Sequence, residues 1–365
     1  MRNVFLNCRR VRIRFLILAA ILIVIMLGAF VWQAQEQKKP PSFLLAWGSQ
    51  GSGPGQLNAP FGVAVDSSGN VYVTDTYGPK SSNSRVVKFT GSGAFITQWG
   101  STGSGLGQFN GPAGVAVDSA GNVYVADRWN SRVEKFTSNG TYITQWGSYG
   151  NGNGRFLNPV GVAVDSSGSV YVTDYVRVLK FTGSGEFVTQ WGSINSGPGK
   201  LNGLWGVAVD SSGNVYVTVR GNGRVEKYTG DGKYITGWRS SGFGLGIAVD
   251  SSGNVYVVDS DNNRVEKFTS DGAYITQWGS VGSGPGQLIG PRDVAVDSSG
   301  NVYVTDSGNN RVEKFGSVAT IPMEQVVLIV GIVAGALVFI ILKPPKNLRR
   351  IISKLRQSEP RNSRN

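Results

Sequence analysis

Across 365 residues the chain contains no histidine and a single cysteine. That removes the commonest general base and the common nucleophile–base pairs of covalent catalysis. Arginine, aspartate and the aromatic residues are left to do chemistry. Two sets of them recur along the chain: the arginines Arg85, Arg132, Arg177, Arg224, Arg264 and Arg311, and the aspartates Asp66, Asp118, Asp165, Asp210, Asp250 and Asp297. A residue present in every copy of a repeat is first of all a building part, so both sets are read as structural. The aspartates stand in Asp-Ser-Ser-Gly-Asn runs or close variants, without the alternating spacing of a calcium loop, and no metal or other cofactor is expected. Cys8 precedes an apolar run, where a lipoprotein cysteine would follow one, and is read as a free thiol.

The recurrence itself organises the chain. GVAVDSSGNVYVTD, first written at Gly62–Asp75, returns from Gly114, Gly161, Gly206 and Gly246, and in altered form from Asp293. Successive aspartates are 52, 47, 45, 40 and 47 residues apart. GVAVD alternates as a strand does, and Asp-Ser-Ser-Gly-Asn supplies a tight turn. NVYVTD is rich in β-branched and aromatic residues. RVVKF or RVEKF and then FITQWG complete four short strands, a to d. Four strands at this period describe one blade of a β-propeller. Trp99, Trp146, Trp191, Trp238 and Trp278 mark the outer strands, and Trp47 stands before the first full repeat. The sixth repeat ends at Phe315 without an outer strand of its own. Phe43–Gly48 is therefore expected to pair with Arg311–Phe315 and close a six-bladed ring, covering strand edges that would otherwise be exposed.

The motifs PFGVAVDSSGNVYVTD and NNRVEKF resemble the NHL family over about Phe43 to Phe315. The resemblance implies an all-β, six-bladed propeller of four antiparallel strands per blade, and speaks to fold more than to function. Several six-bladed relatives are enzymes. Peptide-amidating lyases with this repeat hold zinc through histidines, and streptogramin-type lyases rely on a histidine base; this chain has neither. Lactonase-like propellers hold a divalent metal through carboxylates at the pore, a constellation not visible here. One cysteine cannot build the zinc RING domain that accompanies such propellers on ubiquitin ligases.

The net charge of +12 invites a nucleic-acid reading, but its location argues otherwise. Residues 1–40 and 317–365 carry +6 each, whereas the repeat region holds 20 basic and 20 acidic residues. Without a basic stripe on the propeller, no nucleic-acid partner is expected. The division expected is a basic tail (1–14), an apolar segment (15–32), a linker (33–42), the propeller (43–315), a second linker (316–325), a second apolar segment (326–342) and a basic tail (343–365). The two apolar runs, of 18 and 17 residues, are each about long enough to cross a bilayer. Both arginine-rich ends belong in the cytoplasm by the positive-inside rule, with a monomeric propeller outside. The alternatives are a cleaved leader for the first run and a surface-sorting signal for the second. Each ten-residue linker spans at most about 35 Å. The face of the short a–b and c–d turns should then look toward the membrane, and the d–a and b–c loops outward. Asn139-Gly140-Thr141, on one of the short turns, is a glycosylation sequon.

Departures from the repeat are where a site should hide. From outer-strand Trp to the next strand a the spacing is 15 residues in five units but 8 before Gly246. A notch is therefore expected in the outward rim at the fifth blade. The residue before the start of strand a is Phe61, Ala113, Val160, Trp205, Leu245 and Arg292 in turn, and Asp293 replaces the glycine that follows. Val219-Arg220 is read as replacing Thr-Asp at the end of strand b, and Arg128-Trp129 decorates another b–c loop. Trp205, Arg220, Phe243, Arg292, Asp293, Phe61 and Trp129 are the candidate binding residues, aromatic faces beside cations that suit an anionic or amphipathic partner. The function expected is a non-catalytic, membrane-anchored binding or scaffold module displayed at the cell surface. A propeller-type metal-dependent hydrolase, lactonase or lyase is the rival. A third reading is a sensor signalling through a partner.

Overall fold

The computed structural model describes residues 23–29, 31, 35, 38–76, 83–192, 201–242 and 244–316. The chain divides into two units, Pro40–Val318 and a second made of residues 1–39 and 319–365. Of the second unit, residues 23–29 are helical. No helix among the described residues is long and apolar enough to cross a membrane. The run 326–342 and most of 15–32 lie outside the described residues.

The first unit contains six antiparallel four-stranded sheets. Blade 1 runs from the innermost strand Pro60–Val65 through Val71–Asp75 and Arg85–Phe89 to Phe95–Trp99. Blades 2 to 5 begin at Pro112, Pro159, Leu204 and Gly244, and repeat the order. The innermost strands pack against one another in cyclic order, and the sixth returns to the first. Blade 6 takes Pro291–Val296, Val302–Asp306 and Arg311–Gly316 from the end of the repeat region and its outer strand, Ser42–Trp47, from the beginning. Phe43 lies opposite Phe315 and Trp47 opposite Val312, as the pattern predicts.

Both faces of each sheet carry apolar residues because each sheet is covered on both sides. Six buried clusters result, one in each gap between blades. The gap between blades 6 and 1 holds Val63, Val73 and Phe89 against Ala295, Tyr303 and Val312, with Trp47 packed on it. The Trp47 ring touches Phe89 of blade 1 (6.0 Å between centroids) and Tyr303 of blade 6 (6.1 Å).

The recurrent polar residues are structural, as expected. Asp66 caps its turn by accepting the Ser68 and Asn70 backbone N–H groups, and its other oxygen accepts the Tyr72 hydroxyl. Lys88 lies over the Tyr72 ring and donates to Ser138 O of the next blade. Arg85 pairs with buried Asp75 at 3.0 Å and donates to the carbonyls of Ser52 and Gln56, tying the preceding d–a loop to the blade. The pair recurs as Arg132–Asp127, Arg177–Asp174, Arg264–Asp259 and Arg311–Asp306.

Blade 4 breaks this pattern, and it corrects the register read from sequence. Val219 lies opposite Leu204, just as Asp75 lies opposite Pro60. Thr218 keeps its place and bridges to Leu245 O of blade 5. The substitution is thus valine for the aspartate alone. Arg220 occupies the next position, which is Thr76 in blade 1 and Arg128 in blade 2.

Candidate functional site

The d–a and b–c loops meet on one face around the ring axis. Phe61 of blade 1 and Trp205 of blade 4 come from opposite sides of the ring and stack there, 5.6 Å apart with planes 25° from parallel. The stack exists because blades 1 and 4 carry large aromatics where the other apolar positions hold Ala113, Val160 and Leu245. Three guanidinium groups surround it. Arg128 and Arg220 lie over Trp205 at 5.7 and 5.4 Å, and Arg292 lies over Phe61 at 5.9 Å. They come from blades 2, 4 and 6, so the cations occupy alternate positions around the axis.

None of the three forms an ion pair among the described residues. Arg128 donates its Nε to Asn158 Oδ1 at 2.6 Å. Burial, with the nearby Arg292 charge, holds the Arg128 guanidinium below its ordinary value; burial and Arg220 do the same to Arg292. Each shift registers positive charge gathered in a partly dry place without compensation. A cation over an aromatic face recovers part of that cost, about 0.5–2 kcal/mol per contact.

A cavity of about 350 Å³ opens beside the stack, lined by Phe61, Trp129, Trp205, Arg128 and Arg292 with Ala113 and small or hydroxyl side chains between. Trp129 is 56% exposed. Its backbone N–H donates to Asn110 O, and its ring lies on Gly111, whose φ of +64° suits glycine and where a Cβ would come within 2.7 Å of the indole.

Of the expected residues, Phe61, Trp129, Trp205 and Arg292 line this one cavity. Arg220 faces the same indole but lines no part of the hollow. Phe243 lies outside the described residues. The notch expected at blade 5 is not where this cavity lies: the lining comes from blades 6, 1 and 2 and from Trp205. The shortened loop instead folds back, with Ser240 N–H donating to Gly223 O and Ser241 N–H to the Glu266 carboxylate.

Asp293 does not join the lining. It replaces the innermost-strand glycine, and its two oxygens accept the Val63 N–H of blade 1 (3.0 Å) and the Val294 N–H (2.9 Å). It fits only because blade 5 retains Gly246, where a Cβ would meet the Asp293 carboxylate at 2.2 Å. Burial pushes the Asp293 carboxyl up to about 7. Its role here is to stitch blade 6 to blade 1. Asn139 stands exposed on a c–d turn, on the opposite face.

Arg128 is the functional residue that sequence reading passed over as decoration. Counting from the Val-Tyr-Val of strand b places it at the same offset as Arg220. That equivalence would have found it. Among the described residues no group of three or more His, Cys, Asp or Glu side chains is placed to hold a metal ion.

A ring of six four-stranded blades with an aromatic, cationic hollow at its loop face defines a β-propeller with a candidate binding site. Five stretches of the chain match the NHL repeat: residues 57–89, 109–136, 156–177, 245–268 and 288–315. Blade 4, with its missing aspartate, lies outside those stretches. The chain is 41% identical over 100 residues to the peptidyl-glycine alpha-amidating monooxygenase of Mus musculus, covering 26% of this chain and 10% of that protein. It is 36% identical over 75 residues to the human NHL repeat-containing protein 3, covering 20% and 21%. Matched regions thus span about a tenth to a fifth of these relatives. Among solved structures, a streptogramin B lyase superimposes with a TM-score of 0.52 at 15% identity, covering 76% of this chain and 96% of that one. A Bacteroides thetaiotaomicron protein of unknown function gives 0.54 at 17% identity, covering 76% of each. Likeness at such identities speaks to the fold.

Proposed function

We propose that this protein is a membrane-anchored display module, whose NHL propeller captures an anionic partner on its loop face without catalysing a reaction. The observation that carries this reading is the convergence of Arg128, Arg220 and Arg292 on the Phe61–Trp205 stack with no carboxylate to neutralise them. Arg128 and Arg292, half-desolvated and uncompensated, weaken the free protein and strengthen a complex with an anion. Among the described residues that line the hollow there is no carboxylate to act as a base; the side chains are cationic, aromatic, hydroxyl or small.

Membrane anchoring rests on the apolar runs at 15–32 and 326–342 with their basic flanks. The propeller then sits outside the cytoplasm, both termini inside, and the short linkers turn the loop face away from the bilayer. Asn139, on the opposite face, leaves the hollow unobstructed if it carries a glycan.

The test has two arms. An epitope tag at Gly152, in the loop before blade 3, is expected to be readable on intact cells; a tag readable only at Ser68, in an a–b turn, would reverse the orientation. Surface crosslinking with the full chain and with its Trp205→Ala/Arg292→Ala variant should lose a defined set of partners by more than tenfold. An unchanged set sinks the loop-face reading. A stoichiometric divalent ion in the purified chain would favour the metal-dependent hydrolase or lyase instead.

A further inference from the structure

The hollow has features finer than a generic anion site. Arg128 and Arg292 line it from different blades, and each is destabilised by burial and then by a neighbouring arginine, with no carboxylate paired to it. Guanidinium forks match planar or tetrahedral oxyanions in two-point fashion, and Arg128 has a fixed orientation because Asn158 holds its Nε. Trp129 stands on the rim, more than half exposed yet braced against Gly111. A large aromatic held rigid and left open to solvent offers a stacking surface at little entropic cost. The Phe61–Trp205 stack closes the hollow toward the axis, and its volume of about 350 Å³ is at the small end for ligand sites. The Trp205 indole N–H is buried and has no hydrogen-bond partner. The outer-strand tryptophans share that condition, so it supports the inference only through its place beside the cations.

We propose that the hollow takes a planar aromatic group bearing a single oxyanion, a sulfonate, sulfate, phosphate or carboxylate, with the oxyanion between Arg128 and Arg292 and the ring against Trp129. The inference rests on the loop-face reading above and gives it a ligand class. The oxyanion supplies the charge the arginines lack, and the arene covers indole surface left open in the free protein. Arg220 lies over Trp205 but lines no part of the hollow, so it acts through the field and contributes less. The group is either a free small molecule or an aromatic side chain modified on a partner; the recognition chemistry is the same.

Binding to the full chain can be read by calorimetry and tryptophan fluorescence. Naphthalene-2-sulfonate is expected to bind at least tenfold more tightly than either inorganic sulfate or 2-naphthol. Arg128→Gln and Arg292→Gln should each weaken it by tenfold or more, Arg220→Gln by two- to threefold, with unfolding midpoints confirming that the variants fold. Trp129→Ala should weaken the sulfonate at least fivefold and leave sulfate unaffected. Tighter binding of a short sulfotyrosine peptide than of free phenyl sulfate assigns the group to a partner protein; the reverse assigns it to a small molecule. Equal affinity for sulfate and the sulfonate, or for naphthol and the sulfonate, overturns the inference. So does indifference to both arginine substitutions. If the sulfonate binds as described while the Trp205→Ala/Arg292→Ala chain keeps all its surface partners, the ligand class stands and the partner-capture reading fails.

Discussion

Blades 2 and 4 each send an arginine over Trp205 from the same position of the repeat, but they support it differently. In blade 2, Asp127 accepts the Asn110 N–H and pairs with Arg132 at 2.8 Å, and Arg132 in turn holds the carbonyls of Ser104, Gly105 and Gln108. Blade 4 has Val219 in that place. Its Arg224 has no aspartate there, is 31% exposed and, among the described residues, pairs with Glu226 at 3.8 Å. The arginine beyond each follows suit: Arg128 is half-buried and fixed by Asn158, while Arg220 is exposed. The two blades thus differ in one carboxylate and in what holds the loop arginine: Asn158 in blade 2, and among the described residues the Trp205 ring in blade 4.

The comparison breaks most visibly at that carboxylate. Asp127→Ala removes one of the two carboxylates that pair with buried Arg132, Glu134 remaining at 2.9 Å, and leaves the Asn110 and Asn130 donors unanswered; it should cost about 3 kcal/mol of unfolding free energy, read by chemical denaturation. A loss under about 1 kcal/mol would mean that the ion pair is ornamental and blade 4 has lost nothing.

A second contrast is between seams: glycine faces the neighbouring blade in blades 1 to 5, but Asp293 does so in blade 6. The Asp293 carboxyl binds its proton more tightly in the folded chain, near 7, than at its ordinary value of 3.8. Its contribution is therefore complete below about pH 4 and is lost as pH rises to about 7. The full shift corresponds to at most about 4 kcal/mol, and nearer 2 kcal/mol because Asp293 is only partly buried. Asp293→Gly should remove that part of the slope. Because burial also raises Glu134 and Glu313 to about 7, the quantity to measure is the difference between variant and parent at pH 5 and pH 8. An identical slope in both would show that Asp293 is ionised freely.

Supplying the aspartate where it is missing sharpens the first comparison. Val219→Asp should draw Arg224 inward and stabilise blade 4 by about 1 kcal/mol, the ion-pair gain being offset by burial of the new charge. Destabilisation by more than 2 kcal/mol would show that blade 4 has been repacked around the valine. The smallest effect is at the rim: Arg220→Gln should change stability by under about 0.5 kcal/mol, as an exposed charge does, whereas Arg128→Gln also releases Asn158.

The ring was legible in the chain because every blade writes the same strands, turns and outer tryptophan, and because Trp47 is left over at the start. The hollow was legible in part. Trp205, Phe61 and Arg292 stand out as departures at one repeated position, and position around the ring decides which of them meet. Blades 1 and 4 face each other across the axis, so Phe61 and Trp205 stack though 144 residues separate them. Loop length does not say where the loop's backbone goes: Ser240 and Ser241 bond to Gly223 and Glu266, while the hollow described above forms on the other side of the ring, where Gly111 lets Trp129 stand upright. Such folding back depends on backbone hydrogen bonds that loop length does not encode. Asp293 reads as a pore-mouth charge in sequence, yet its carboxylate is consumed by two backbone N–H groups.

The shared sixth blade also sets a clock. During synthesis Ser42–Trp47 leaves the ribosome first, and its partner Arg311–Gly316 follows about 270 residues later, a delay on the order of ten seconds or more at ~5–20 residues per second. Through that interval the strand is a bare edge with a tryptophan on it, open to any other newborn copy in the same condition. Two nascent chains that exchange this strand would form intertwined dimers, so crowding of polysomes bears on yield. Moving Ser42–Trp47 to follow Gly316 through a short turn, by circular permutation, would shorten the wait to about a second.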